Sequence, residues 1–184
     1  MFGHLMPVVP LAAALVRHGH DVVVASEPAA AERVRRLGLD GVGVGRDLTA
    51  EDMFSVLPDI LAVAPQAQDA YARPRVFIEL RAMNVIQDLT VLVRELRPAL
   101  IVREDAEFAS WAVAETEGIP HVTVNVGAAE SAADLNALCH TWVSDLERAV
   151  GAAGLSLRSI YRHGIVSFEP AGYYDWSDTP TAAV

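Results

Sequence analysis

The chain has 184 residues, enough for one domain with a substantial core and too few for two full α/β domains. With 52% hydrophobic and 21% charged residues it is a folding sequence rather than a disordered one. A formal net charge of −10 repels nucleic-acid phosphates and anionic lipid headgroups, so neither is an expected partner.

In chain order, the apolar opening Leu5 to Val16 lacks a preceding basic region, contains prolines and runs into Arg17 and His18, which argues against a secretory signal. Pro7 to Val16 reads as an Ala/Leu-rich helix closed by Gly19. The run Asp21–Ala25 (DVVVA) reads as a strand, and Glu27 to Leu37 as a helix ended by Gly38. A weaker strand is expected at Val42–Val44. Residues 45–75, with Pro58, Pro65 and Pro74, suggest loop and short helix, a place where such domains build a substrate-facing lid. Pro74 to Leu96 reads as one long helix, followed by a strand at Leu100–Val102 and a helix from Ala106 to Glu117 stopped by Gly118. His121–Val126 (HVTVNV) reads as a strand, and Leu135 to Ala153 as a final helix ended by Gly154. The stretch from Ser167 to Val184 reads as irregular.

Apolar runs without alternation indicate strands buried on both faces, and their alternation with helices predicts a doubly wound, Rossmann-like α/β domain with a parallel sheet. The expected division is one domain over 1–170 and a terminal segment or linker over 171–184. No strand is expected before the first helix, although doubly wound sheets ordinarily begin with one that sits at their centre. Such a sheet would expose edges, so either self-association or another segment filling the gap is expected. The single cysteine, Cys139, excludes an intrachain disulfide, and no Cys/His spacing suits a structural zinc site. These features fit a cytoplasmic protein with no membrane span and no metal.

The segment Gly3 to Pro28 (GHLMPVVPLAAALVRHGHDVVVASEP) resembles the opening of the nucleotide-sugar-dependent glycosyltransferases that modify bacterial natural products, enzymes of the two-domain GT-B fold. Gly3-His4, Pro7, Pro10, Gly19-His20 and Val22–Val24 carry that resemblance. A second stretch, Ile101 to Asn125 (IVREDAEFASWAVAETEGIPHVTVN), is similar to the family's later strand, acidic turn, helix and Gly-Ile-Pro-His entry to the next strand. The resemblance implies the N-terminal, acceptor-binding half of such an enzyme. It further implies a C-terminal donor domain as partner and a UDP- or TDP-sugar as co-substrate, with no separate cofactor.

What the resemblance implies about chemistry centres on His4, at the position of the family's general base for deprotonating an acceptor hydroxyl. Imidazole titrates near neutrality and suits that task. A carboxylate on the other ring nitrogen would stabilise the cation, and the acidic turn Arg103–Glu107 offers Asp105, or Glu104 if the register slips by one. Asp105 also reads as a helix N-cap. Met6, Met53, Phe54, Phe77, Met83, Phe108 and Asn125 are candidates to line a pocket for a hydrophobic acceptor, although each apolar one also reads as plain core. His18, His20 and His121 read as structural. Two other readings stay open: a non-catalytic ligand- or protein-binding homologue, and an unrelated nucleotide-binding Rossmann domain. The second lacks the G-x-G-x-x-G spacing that would seat a pyrophosphate.

Overall fold

A computed structural model of the chain describes residues 2–127 and 130–167. It divides into two compact units, Met1–Leu48 and Thr49–Val184.

In the first unit a four-residue helix, α1 (Phe2–Leu5), precedes α2 (Val9–Arg17). Strand β1 (Val23–Ser26), helix α3 (Pro28–Arg36) and strand β2 (Asp40–Gly43) form a β-α-β crossover with parallel pairing of Val23 to Asp40 and Ser26 to Gly43. Its core cluster is Ala12, Val34 and Leu39, with Leu5, Val9, Ala13, Val22 and Val24 partly buried around it. Gly41 is required by packing, because a Cβ there would collide with the carbonyl oxygen of Ala31 on α3.

The second unit begins with α4 (Ala50–Ser55), held by a reciprocal capping box between Thr49 and Asp52. Two single 3₁₀ turns and α5 (Gln68–Pro74) follow, so residues 45–75 are loop and short helix as expected. The predicted long helix is instead composite. Arg75–Ala82 is π-helical and only Met83–Leu96 (α6) is regular, because Pro74 closes α5 rather than opening a new helix. Apolar spacing cannot distinguish these windings, which differ by little more than one residue per hydrogen-bonded ring.

Strands β3 (Ile101–Glu104), β4 (His121–Asn125) and β5 (Ile165–Ser167) make a parallel sheet in that order. Helix α7 (Ala109–Glu117) links β3 to β4 and ends on left-handed Gly118. The predicted helix over Leu135–Ala153 is two helices, α8 (Ala132–Cys139) and α9 (Val143–Val150), separated by a 3₁₀ turn at His140–Trp142. Helices α6, α7 and α9 pack on one another. Trp111, Phe108, Ile78, Ile86, Leu146, Leu157, Ile160 and Tyr161 are the largest side chains of this core, each less than 2% exposed. Four of the five β4 residues are buried, the signature of a parallel strand covered on both faces.

The architecture is therefore α/β with parallel sheets flanked by helices, as the sequence predicts. The terminal stretch after Ser167 lies outside the described residues. No helix among the described residues is long and apolar enough to cross a membrane.

Candidate functional site

The carboxyl ends of β3 and β4 carry the most concentrated polar chemistry in the second unit. Ile101 to Glu104 pair in register with His121 to Val124, which puts Arg103 and Thr123 on one face of the sheet, with Asn125 two residues further along it. All three are buried, at 3%, 0% and 3% exposure. Thr123 Oγ1 donates to the Ile160 carbonyl, and Asn125 Nδ2 donates to the Gly127 carbonyl at 2.9 Å.

The turn after β3 is held from several sides. The Ala106 amide donates to the Glu104 carboxylate at 2.7 Å. The Asp105 amide donates to the Val124 carbonyl, while the Val126 amide reaches back to Asp105 Oδ1 at 3.4 Å. Asp105 is not the cap of α7, because that helix starts three residues later than its apolar pattern suggests. Glu107 does the capping: its carboxylate accepts from the Ala109 and Ser110 amides at 2.8 and 2.9 Å and from the Ser110 hydroxyl. A carboxylate at a helix N-terminus satisfies orphan amides and meets the positive end of the dipole. Burial pushes the Glu107 carboxyl up, opposed by its hydrogen bonds to Ser110.

Asp105 is thereby left to do something else. Burial, and then the charge and hydrogen bond of neighbouring Glu104, push its carboxyl up to about 6. Two carboxylates this close resist being ionised together. Nearby, burial lifts the Glu130 carboxyl against the pull of Arg73, whose Nη1 donates to it at 2.6 Å. The Tyr161 hydroxyl donates to the Glu130 backbone carbonyl at 2.9 Å and is itself pushed by burial up to about 12. The loop after β4, of which residues 128 and 129 lie outside the described residues, is thus tied down at Glu130.

The other sequence-predicted residues fall as follows. His4 is half-buried on the short helix α1 rather than at a strand-to-helix turn, and Met6 beyond it is 39% exposed. Both belong to the first unit, and the remaining eight belong to the second. Met53 and Phe54 sit on α4, where Phe54 is 71% exposed. That helix packs against the π-helical stretch carrying half-buried Phe77, and Met83 opens α6 at the surface. Phe108 is 1% exposed and belongs to the core, not to a ligand-facing wall.

At the opposite, amino end of β4, His121 is fully buried and its Nε2 lies 2.9 Å from Glu115. Burial keeps that imidazole below its ordinary pKa, with Glu115 pulling the other way. A cavity of about 120 Å³ beside it is lined by Glu115, Arg162 and His163 among others. It is smaller than the roughly 300 Å³ at which pockets for drug-sized ligands begin. Among the described residues no group of three or more His, Cys, Asp or Glu side chains has the arrangement of a metal site.

This layout, an acidic turn and a loop at the carboxyl ends of parallel strands, is where open α/β sheets receive ligands. Comparison with known proteins decides the lineage. Residues 13–152 match the family described as Erythromycin biosynthesis protein CIII-like, N-terminal domain. The chain belongs to that family. It is 30% identical over 150 residues to aclacinomycin-T 2-deoxy-L-fucose transferase of Streptomyces galilaeus, covering 67% of this chain and 34% of the relative. Among solved structures it resembles glycosyltransferase VinC in complex with dTDP, with TM-score 0.67, 23% identity, and coverage of 100% of this chain and 49% of that one. The glycosyltransferase SnogD from Streptomyces nogalater is similar at TM-score 0.64 and 24% identity, with 90% of this chain and 41% of that chain covered. Those two likenesses establish the fold alone, that of one half of a GT-B structure. The chain spans about a third of the length of the curated relatives it matches.

Arg103 and Glu107 escaped the sequence reading. Arg103, directly after the apolar run Leu100-Ile101-Val102, was the available signal, since a charged residue that continues a doubly covered strand must be buried with its partners.

Proposed function

We propose that the chain is the acceptor-binding portion of a glycosyltransferase that attaches a sugar to a hydroxyl of a hydrophobic natural-product aglycone. The observation that supports this reading is the family match over residues 13–152, together with relatives named as a 2-deoxy-L-fucose transferase and a TDP-daunosamine transferase. A nucleotide sugar, of the TDP class by analogy with the dTDP held by VinC, serves as donor, and its binding belongs to sequence beyond the matched portion.

In this reading His4 accepts the proton of the acceptor hydroxyl as its oxygen attacks the anomeric carbon, and the nucleoside diphosphate departs with the bonding electrons. Asp105, with Glu104, supplies the carboxylate that stabilises the imidazolium. The strand-end position of the acidic turn and its clustering with Asn125 support that role. Met6, Met53, Phe54, Phe77 and Met83, exposed or half-buried, supply apolar surface for the aglycone. By itself the chain binds acceptor without turnover.

The test is calorimetric titration of the purified chain with polyketide aglycones and, separately, with UDP- and TDP-sugars. Aglycone binding that weakens at least several-fold in His4→Ala, with no heat from the nucleotides, is the expected result. Nucleotide binding without aglycone binding would overturn the assignment.

A further inference from the structure

Helix α5 is seven residues long, and Pro74 at its end is its one buried residue. So short a helix with so little apolar anchorage is held by its neighbours rather than by its own hydrogen bonds. Arg73 supplies one such hold. Its Nε and Nη2 donate to Asp69 Oδ2, one turn back on α5, at 3.2 and 3.0 Å. That leaves Nη1 for Glu130, 57 residues further along the chain, to whose Oε2 it donates at 2.6 Å. The planar guanidinium serves both carboxylates at once, which a lysine ammonium on a flexible stem does less well. The two pairs differ in kind. The Asp69 side chain is 72% exposed, so water screens that pair and its effect is to orient the guanidinium. Arg73 and Glu130 are 25% and 22% exposed, so their pair is less screened, and removing either partner strands a half-buried charge.

Each end of the pair is fastened to something larger. The Glu130 backbone carbonyl accepts from the hydroxyl of Tyr161, a core residue, at 2.9 Å. Ser131, next in the chain, caps α8 by accepting from the Asp134 amide. Glu130 is thus a fixed post just beyond the carboxyl end of β4. On the other side, the Gln68 side chain of α5 donates to the carbonyls of Ile60 and Val63 at 3.3 and 3.2 Å. The turn that carries Leu61, 95% exposed, is therefore tied to α5. Arg75 is a separate tether, its guanidinium 3.9 Å from the centre of the Tyr71 ring and 5.5 Å from that of Trp142. We propose that the Arg73–Glu130 ion pair is a clasp that fixes α5, and the exposed apolar turn before it, against the chain leaving β4, which makes Arg73 a positioning residue for acceptor binding. The assignment rests on the reading of this chain as the acceptor-binding portion of a glycosyltransferase. An apolar turn displayed to water gains by fraying or by folding onto other apolar surface. The clasp holds it in place beside the strand end, where a hydrophobic ligand would meet it.

The test is hydrogen exchange and aglycone titration of the full chain in wild type, Arg73→Met, Glu130→Gln and the double variant. The probes are a macrolide aglycone and a planar polycyclic one. Each single variant is expected to exchange the amides of residues 60–73 about tenfold faster. The double variant should be no faster than the faster single one, because both changes remove the same interaction. Affinity for whichever probe wild type binds is expected to weaken several-fold in all three, at a temperature where each remains folded. Arg73→Lys, which keeps the charge and loses the fork, should fall between wild type and Arg73→Met. Arg148→Met breaks an exposed pair with Asp145 on α9 and removes the same charge, and it is expected to change neither readout. Unchanged or additive exchange effects would overturn the clasp. Unchanged affinity in variants that exchange faster would overturn the positioning role. If Arg73→Met does not fold, Arg73→Lys and Glu130→Gln carry the same comparison. A wild type that binds neither probe removes the acceptor reading, and the positioning role with it, while the exchange measurements still decide whether the clasp exists.

Discussion

The two units use the same β-α-β pattern with unequal resources. Residues 1–48 close two strands over a cluster of only Ala12, Val34 and Leu39, whereas residues 49–184 enclose Trp111, Phe108, Tyr161 and several Ile and Leu side chains under three strands. Charge divides as unevenly. The first unit holds five acidic and five basic residues, so the entire formal net charge of −10 falls in the second. A two-stranded sheet with so small a core is marginal by itself, because stability scales with apolar area removed from water. In this pair of units the well-cored one tolerates a buried guanidinium and crowded carboxylates. The lightly cored one carries the proposed base on a single turn of helix. Strained electrostatics reside where burial is deep enough to compensate for them.

The largest expected effect is on the deep core. Trp111→Ala should cost the second unit about 3–5 kcal/mol, read by denaturant unfolding of its amides in hydrogen exchange. A loss below about 1 kcal/mol would mean that this core is no better packed than that of the first unit. Next, Gly41→Ala should destabilise the first unit by about 1–3 kcal/mol through the clash with the Ala31 carbonyl, read as faster exchange confined to residues of β1, α3 and β2. Unchanged exchange there would show the contact to be soft.

A smaller effect concerns pH. Asp105 is pushed up to about 6 from an ordinary 3.8, so the folded state holds its proton more tightly than the unfolded state does. Its contribution is full at acid pH and is lost as pH rises from about 4 to about 6. Glu107 and Glu130 are shifted in the same direction. His121 works the other way: its lowered pKa costs stability as pH falls below the ordinary histidine value. Asp105→Asn should therefore raise the melting temperature at neutral pH and less at acid pH. An equal gain at both would locate the effect in packing rather than ionisation. Least of all, salt should stabilise the second unit by screening its self-repulsion, with little change in the charge-balanced first.

Much of this was legible from residue order. The β-branched runs became β1, β3 and β4 within two residues of their predicted ends, and Gly19, Gly38 and Gly118 mark helix ends with positive φ. Strand β5 was missed because three residues, Ile165–Ser167, cannot show a period. The acidic turn was recognised but its division of labour was not. Glu107 and Asp105 both suit an N-cap, and only the start of α7 at Ala109 assigns the cap to Glu107 and frees Asp105. Phe108 has the same apolar character in a core as in a pocket, so nothing in its type foretold its burial. The hydrogen bonds from Arg103 Nη1 to the carbonyls of Glu104, Asp105 and Glu107 depend on a turn that brings the three together, which no linear spacing encodes.

Cys139, on α8, is the chain's single thiol and is fully buried, with burial pushing its pKa up to about 11. The nucleophile is the thiolate, so both its scarcity and its inaccessibility suppress reaction with alkylating reagents in the native state. Modification must then wait for α8 to open, and the rate of label uptake at one atom becomes a clock for that opening. A saturating reagent reads the opening rate, and a slow one reads the population of the open form. The same measurement, repeated with an aglycone present, would report as slowed labelling any ligand that closes the second unit around itself, without a chromophore, an enzyme assay or a second protein.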